Sequence, residues 1–212
     1  MKENLSFHEE VNGIYRLKVP FEELYTSVFL VKSTCGFILV DCATTARDVE
    51  AYILPALKNT GLSLKDIRYL VLTHNHQDHA GGMQRLLELS PNLQVITTKQ
   101  PFASSLEICE MKGHTLDCIG LLDKRSGTLL SGDALQGYGV GKYRCSLKSK
   151  EEYIKTIEKI KKDKRIENVL FSHAYEPWNT DGAFGREEVE GRLKDCIEYV
   201  ERREKNESNR NQ

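Results

Sequence analysis

Between Thr73 and Gly82 the chain reads Thr-His-Asn-His-Gln-Asp-His-Ala-Gly-Gly, which places His74, His76, Asp78 and His79 within six consecutive positions. Imidazole nitrogens and a carboxylate at this density are the donors that a borderline divalent ion such as zinc accepts. Buried together in one loop without an ion, these side chains would compete for too few hydrogen-bond partners. Metal binding is therefore the chemistry to which the stretch points, and the question is whether other residues complete it.

Three further candidates are His114, Asp133 and His173. Each lies just past a short apolar run: Ser104 to Met111, Gly127 to Leu130 and Asn168 to Phe171, as His74 itself follows Ile67 to Leu72. Residues at such strand ends can converge on one rim of a sheet, where α/β proteins build sites. Taken singly, His114 and His173 have ordinary packing explanations, and an aspartate after glycine is commonly a turn residue. The dense cluster shifts that balance toward ligands. Five of the six histidines fall at these places, and the sixth, His8, sits in a polar leader and is expected to be exposed.

The elements that must carry these residues follow from periodicity. Gly13 to Val19 alternates like a half-buried strand that Pro20 should end. Strands are expected at Ser27 to Lys32 and Gly36 to Val40, joined by a turn at 33–36. Thr45 to Asp48 has the spacing of a helix cap, followed by Val49, Tyr52, Ile53, Ala56 and Leu57 at helical spacing. Pro55 should bend or break that helix, and Gly61 suits its exit. Beyond the strand Ile67 to Leu72, a helix is expected from Met83 to Leu89 and strands at Leu93 to Thr97 and Ser104 to Met111. Cys118 to Leu122 and Gly127 to Leu130 then read as a hairpin. Residues 137–146 form a glycine-rich loop. Ser149 and Glu152 form a capping box for a helix bearing Tyr153, Ile154, Ile157 and Ile160. Asn168 to Phe171 is a strand, Val189 to Val200 an amphipathic helix, and 203–212 a polar tail expected to fray. Strands alternating with helices predict a layered α/β architecture over a single domain, 1–212.

Composition narrows the function classes. A hydrophobic share of 40%, a charged share of 29% and a net charge of −1 fit a globular chain and argue against disorder. The basic run from Lys159 to Arg165 reads as the solvated end of a helix, so nucleic acid is not an expected partner. No apolar run approaches the roughly 20 residues of a membrane span. The first residues lack a signal-peptide core, and the six cysteines are scattered without a C-x-x-C pair. A cytoplasmic protein with reduced thiols is the expectation.

Thr73 to Gly82 resembles the H-x-H-x-D-H signature of the metallo-β-lactamase superfamily. Phe37-Ile38-Leu39-Val40-Asp41 is similar to that family's first motif, Gly113-His114-Thr115 to its third, Ser131-Gly132-Asp133 to its fourth and Ser172-His173 to its fifth. The resemblance implies a four-layer αβ/βα sandwich. It implies two divalent ions, zinc first, with iron or manganese as alternatives. One would be held by His74, His76 and His114, the other by Asp78, His79 and His173, with Asp133 shared and Asp41 supporting the loop from behind. It further implies hydrolysis in which a hydroxide between the ions attacks a small-molecule thioester, ester or lactone, with Asp78 orienting it and passing on a proton.

Departures concern the substrate. The third motif commonly continues Pro-Gly-Ser but here reads Leu116-Asp117-Cys118, and Ser172 and Ala174 replace glycines around His173. Cys118 is expected to be a packing residue. Tyr138 and Tyr143 are candidate oxyanion donors, with packing or surface roles equally open. His79 and Asp133 stand where the main β-lactamase subclass carries arginine and cysteine, which directs the resemblance to the glyoxalase II and lactonase side. The stretches after His79 and after His173 look short for that side. An open pocket is expected, roofed by the 137–146 loop or by the second subunit of a homodimer. The alternative in the same fold is an iron-dependent oxidoreductase, persulfide dioxygenase-like or di-iron. A third reading is a non-catalytic metal-binding module, disfavoured because a structural zinc needs only four closed ligands.

Overall fold

A computed structural model of the chain describes residues 5–101, 104–136, 139–140, 143–144 and 147–210, with the backbone alone described at 139–140, 143–144 and 203–210. Two sheets form its centre. The first runs in the order β1 (His8–Val11), β2 (Ile14–Phe21), β3 (Leu24–Ser33), β4 (Gly36–Val40), β5 (Ile67–Val71) and β6 (Gln94–Ile96). The second runs in the reverse sense along the chain: β13 (Gly182–Phe184), β12 (Asn168–Leu170), β9 (Thr128–Leu130), β8 (Ile119–Asp123) and β7 (Leu106–Glu110). A small antiparallel pair, β10 (Gly139–Val140) and β11 (Tyr143–Arg144), crosses the glycine-rich loop.

The layering follows from alternation along the strands. Side chains of successive strand residues face opposite ways. In β4, Ile38 and Val40 point into the space between the sheets, where they meet Leu106, Ile108, Ile119, Leu121, Leu130 and Leu170 of the second sheet. Leu39 points the other way, into a cluster with Val49, Ile53, Ala56 and Leu57. In β8, Leu122 likewise turns away from the seam, toward Tyr153, Ile157, Leu193 and Val200. After the short helix α1 (Ala46–Asp48), the π-helical turn Val49–Ile53, α2 (Leu54–Asn59) and α4 (Met83–Leu89) thus cover the first sheet, and α5 (Lys150–Lys162) and α6 (Arg186–Arg210) cover the second. The result is a four-layer αβ/βα sandwich, as the motifs implied. The α6 backbone remains helical across most of the stretch expected to fray.

Several local expectations hold. The Thr45 side chain accepts from the Asp48 amide at 3.2 Å, and Ser149 from the Glu152 amide at 3.2 Å. Others are corrected. Pro20 does not end β2, which continues to Phe21 and pairs Pro20 with Tyr25. The reason is that β1 pairs only with Ile14 to Arg16, so beyond them β2 is an edge whose missing N–H costs no ladder bond. At Pro55 the helix changes type, α2 beginning at Leu54 with the proline in its first turn, near the break expected there. The turn before it, Val49–Ile53, is π-helical, and this wider register absorbs the lost donor. The strand β13 and the helical turn α3 (Gln77–Ala80) inside the histidine stretch were not anticipated.

Candidate metal centre

All the candidate ligands sit at the carboxyl ends of strands, and both sheets contribute. β4, β5 and β6 are mutually parallel, as are β9 and β12. Their ends therefore open on the same rim. His74 follows β5, and His76 caps α3, whose first turn carries Asp78 and His79. His114 follows β7, Asp133 follows β9 and His173 follows β12. Two glycines permit the crossing of these segments. A side chain at Gly81 would collide with the backbone at Thr44, and one at Gly132, whose φ is +53°, would meet the Thr73 side chain at 2.6 Å.

The histidine stretch is held from beneath by Asp41. Its backbone is left-handed at φ 61°, a conformation that costs a non-glycine residue about 1–3 kcal/mol. In this position its carboxylate accepts from the Thr73 amide at 2.8 Å, from the Thr73 hydroxyl at 2.8 Å and from His79 Nδ1 at 2.7 Å. His173 Nδ1 lies 2.7 Å from the Tyr25 carbonyl, and His74 Nδ1 lies 3.2 Å from the Thr73 hydroxyl. In each ring the outer nitrogen is engaged and Nε2 is turned to the centre. Metal-binding histidines are oriented in this way by partners behind them.

The inward atoms form three groups, His74–His76–His114, His74–His79–Asp133 and Asp78–His79–His173, with the ligand atoms of each within 4.8 Å of one another. His114 Nε2 is 3.0 Å from His76 Nδ1. Asp133 lies between the groups. Its Oδ1 is 3.3 Å from His79 Nε2 and 3.4 Å from His173 Nε2, and its Oδ2 is 3.8 Å from His114 Nε2. Asp78 Oδ2 is 3.3 Å from the Nε2 atoms of both His79 and His173. His74 Nε2 and His79 Nε2 are buried and make no hydrogen bond. Orphaned imidazole nitrogens facing carboxylates, with the outer nitrogens of His74, His79 and His173 engaged, fit a divalent ion. All seven candidates are thus brought together, while His8 lies in β1 and is exposed.

Electrostatics show how strongly the metal-free cluster is polarised. Burial opposes a charged His79, yet Asp133 and Asp41 outweigh it and hold its pKa well above the ordinary value. Burial also opposes ionisation of Asp133, but His173 and His79 keep its carboxyl well below the usual range. Asp78 is lowered in the same sense, its burial outweighed by the His173 and His79 imidazoles beside it. His74 is lowered, first by burial and then by the charge on His79.

Several residues of the site carry no motif signal. The Tyr175 hydroxyl donates to Asp133 Oδ1 at 2.5 Å. The Thr26 hydroxyl lies 3.3 Å from Asp78 Oδ2, and the Gln136 amide nitrogen 3.4 Å from His114 Nδ1. Arg16, 2% exposed, donates to the Phe171 carbonyl, the Asp181 carbonyl and the Ser27 hydroxyl, each at 2.7 Å. It thereby ties β2 to the segment that carries His173. Cys118 is buried against Thr115, its thiol pushed up to about 11 by burial, in keeping with a packing residue. Tyr138 lies outside the described residues, as does the Tyr143 side chain. Leu116, beside His114, is 59% exposed. No described helix is long and apolar enough to cross a membrane.

Known proteins resemble the chain in sequence and fold. Residues 22–105 match the family model of the metallo-beta-lactamase superfamily. Ribonuclease J of Mycobacterium tuberculosis is 42% identical over 99 residues, which are 47% of this chain and 17% of that protein. Hydroxyacylglutathione hydrolase of Vibrio cholerae is 25% identical over 175 residues, covering 70% of this chain and 68% of that one. The chain therefore spans about a sixth of the ribonuclease and about two thirds of the hydrolase. A crystal structure of a metallo-beta-lactamase from Erythrobacter litoralis superposes with a TM-score of 0.68 at 18% identity, covering 95% of this chain and 98% of that one. The sandwich, the ordered motifs and the family model over residues 22–105 agree: the chain is similar to the metallo-beta-lactamase superfamily and has its fold.

Proposed function

We propose that the chain is a metal-dependent hydrolase with two ion-binding groups joined by Asp133, acting on a thioester, ester or lactone of a small molecule. The observation that carries this reading is the position of Asp133, with one carboxylate oxygen toward His79 and His173 and the other toward His114. His74, His76 and His114 would hold one ion, and Asp78, His79 and His173 the other. Divalent ions there, zinc in the first instance, would supply Lewis acidity and an activated water.

The chain's own residues perform the remaining tasks. Asp41, Thr73 and the Tyr25 carbonyl hold three imidazoles with Nε2 turned inward. Asp78 keeps its side chain partly exposed beside His79, and its carboxylate would take a proton and return it to a leaving group. Asp133 is tethered by Tyr175, which suits a fixed spacer more than a proton carrier. The similarity to hydroxyacylglutathione hydrolase over most of the chain favours a thioester.

The test is elemental analysis of protein purified without added metal, followed by turnover assays with thioesters, lactones, phosphodiesters and RNA. Zinc with thioester or lactone turnover is the expected result. Iron with oxygen consumption would replace this reading with the oxidoreductase one, and RNA cleavage would replace it with a nuclease like the ribonuclease J relative. Asp133→Ala is expected to lose the paired ions and nearly all hydrolysis; two ions per chain with normal turnover would remove Asp133 from its proposed role.

A further inference from the structure

Tyr175 stands two positions after His173 and is fully buried. Its ring packs edge-on to Phe171, with centroids 6.0 Å apart, and to His173 at 5.7 Å. Its amide donates to the His173 carbonyl at 3.1 Å, and its carbonyl accepts from Asn179 at 2.7 Å. The ring is therefore fixed on both sides and at the backbone. From this position the hydroxyl reaches Asp133 Oδ1 at 2.5 Å, with the Gly132 carbonyl at 3.5 Å.

A carboxylate accepts hydrogen bonds and donates none, so the phenol is the donor. The terminal torsion of an aspartate is broad and roughly two-fold, so nothing in Asp133 itself decides which oxygen faces which group. A rigid donor on one oxygen does decide it. The oxygen that Tyr175 holds is the one 3.3 Å from His79 and 3.4 Å from His173, while Oδ2 is the one 3.8 Å from His114.

We propose that Tyr175 is the positioning residue that sets the rotation of the Asp133 carboxylate, assigning Oδ1 to the Asp78–His79–His173 group and Oδ2 to the group at His114. The proposal rests on the two-group reading above. Hydrogen-bond partners behind metal ligands orient them and tune the affinity of the site. The consequence is an inequality between the groups. Oδ1 uses one lone pair on the phenol and offers one to an ion, so removal of the hydroxyl changes the two sides differently.

Tyr175→Phe keeps the ring and deletes only the donor. Metal-free full-length protein is titrated with Zn2+ against a chromophoric chelator, and the Co2+-loaded protein is examined by visible absorption. Wild type is expected to take up two ions. The variant is expected to bind one of them at least about tenfold more weakly, with the other little changed and with altered cobalt bands. Two unchanged zinc affinities and an unchanged cobalt spectrum overturn the proposal and leave the two-group reading standing. A wild-type chain that binds fewer than two ions overturns both. Should Tyr175→Phe not fold, 3-fluorotyrosine at position 175 preserves the shape and alters only the donor strength. One shifted zinc affinity then supports the proposal, and two unshifted affinities overturn it.

Discussion

Asp41 and His79 are joined by a contact of 2.7 Å between Oδ2 and Nδ1, and both side chains are fully buried. No water competes for the pair, and Asp41 also serves the Thr73 amide and hydroxyl. Asp41→Ala would leave three buried donors without this acceptor, each worth about 1–3 kcal/mol. We expect urea unfolding of the metal-free variant to show a loss of about 3 kcal/mol or more. We also expect zinc binding to weaken by roughly 10–100-fold. Wild-type values for both would mean that the loop holds its shape without this anchor.

Arg16 forms a second anchor, remote in sequence from the His173 segment that it fixes. It pairs with Glu10 at 2.9 Å and binds two carbonyls of the His173 segment. Arg16→Met keeps much of the bulk but strands these partners, at an expected cost of roughly 3–5 kcal/mol. Hydrogen exchange should quicken at the Ser27 amide, which donates to the Ser172 carbonyl at 2.8 Å. A variant within about 1 kcal/mol of wild type, with normal protection at Ser27, would show the clamp to be dispensable.

Asp181 links stability to pH. Burial raises its pKa, but hydrogen bonds from Lys18 and Tyr25 outweigh this and hold the carboxyl below the ordinary value. Between that lowered value and about 3.9 the unfolded chain binds the extra proton, so stability rises with pH through this window. The contribution is complete above the window and is lost as pH falls through the folded-state pKa. Asp181→Asn should therefore flatten the acid limb of a stability–pH profile and lower the plateau above it. An acid limb identical to that of wild type would count against the assignment.

His8 provides the control. It is exposed in β1, outside all three candidate ion-binding groups. His8→Ala should leave zinc stoichiometry and affinity as in wild type. A fall in bound zinc would show the ligand set to be wrong.

The candidate ligands were legible because their chemistry is local or punctuates strands. His74 to His79 announce themselves by spacing, and His114, Asp133 and His173 by following apolar runs. The layers were legible because strands such as β4 and β8 are apolar on both faces. What escaped were partners distant in sequence and unmarked by type. Arg16 contacts residues 155 and 165 positions away, and a lone arginine in an alternating strand reads as a solvent-facing charge. Tyr175 looked like one tyrosine among nine. Pro20 was misread because the extent of β1, which decides whether an amide is needed there, cannot be inferred from β2.

The seam between the two sheets has a mechanical consequence. Each sheet has its own helix-backed core, and His74, His76, Asp78 and His79 belong to the first half while His114, Asp133 and His173 belong to the second. An ion held by both sets is a rivet across the joint and adds little to either core. Chelation would then loosen the docking of the halves before it melts either one. A metal-stripped chain should accordingly part along this line first, and a chain split between α4 and β7 should reassemble more tightly as zinc is added.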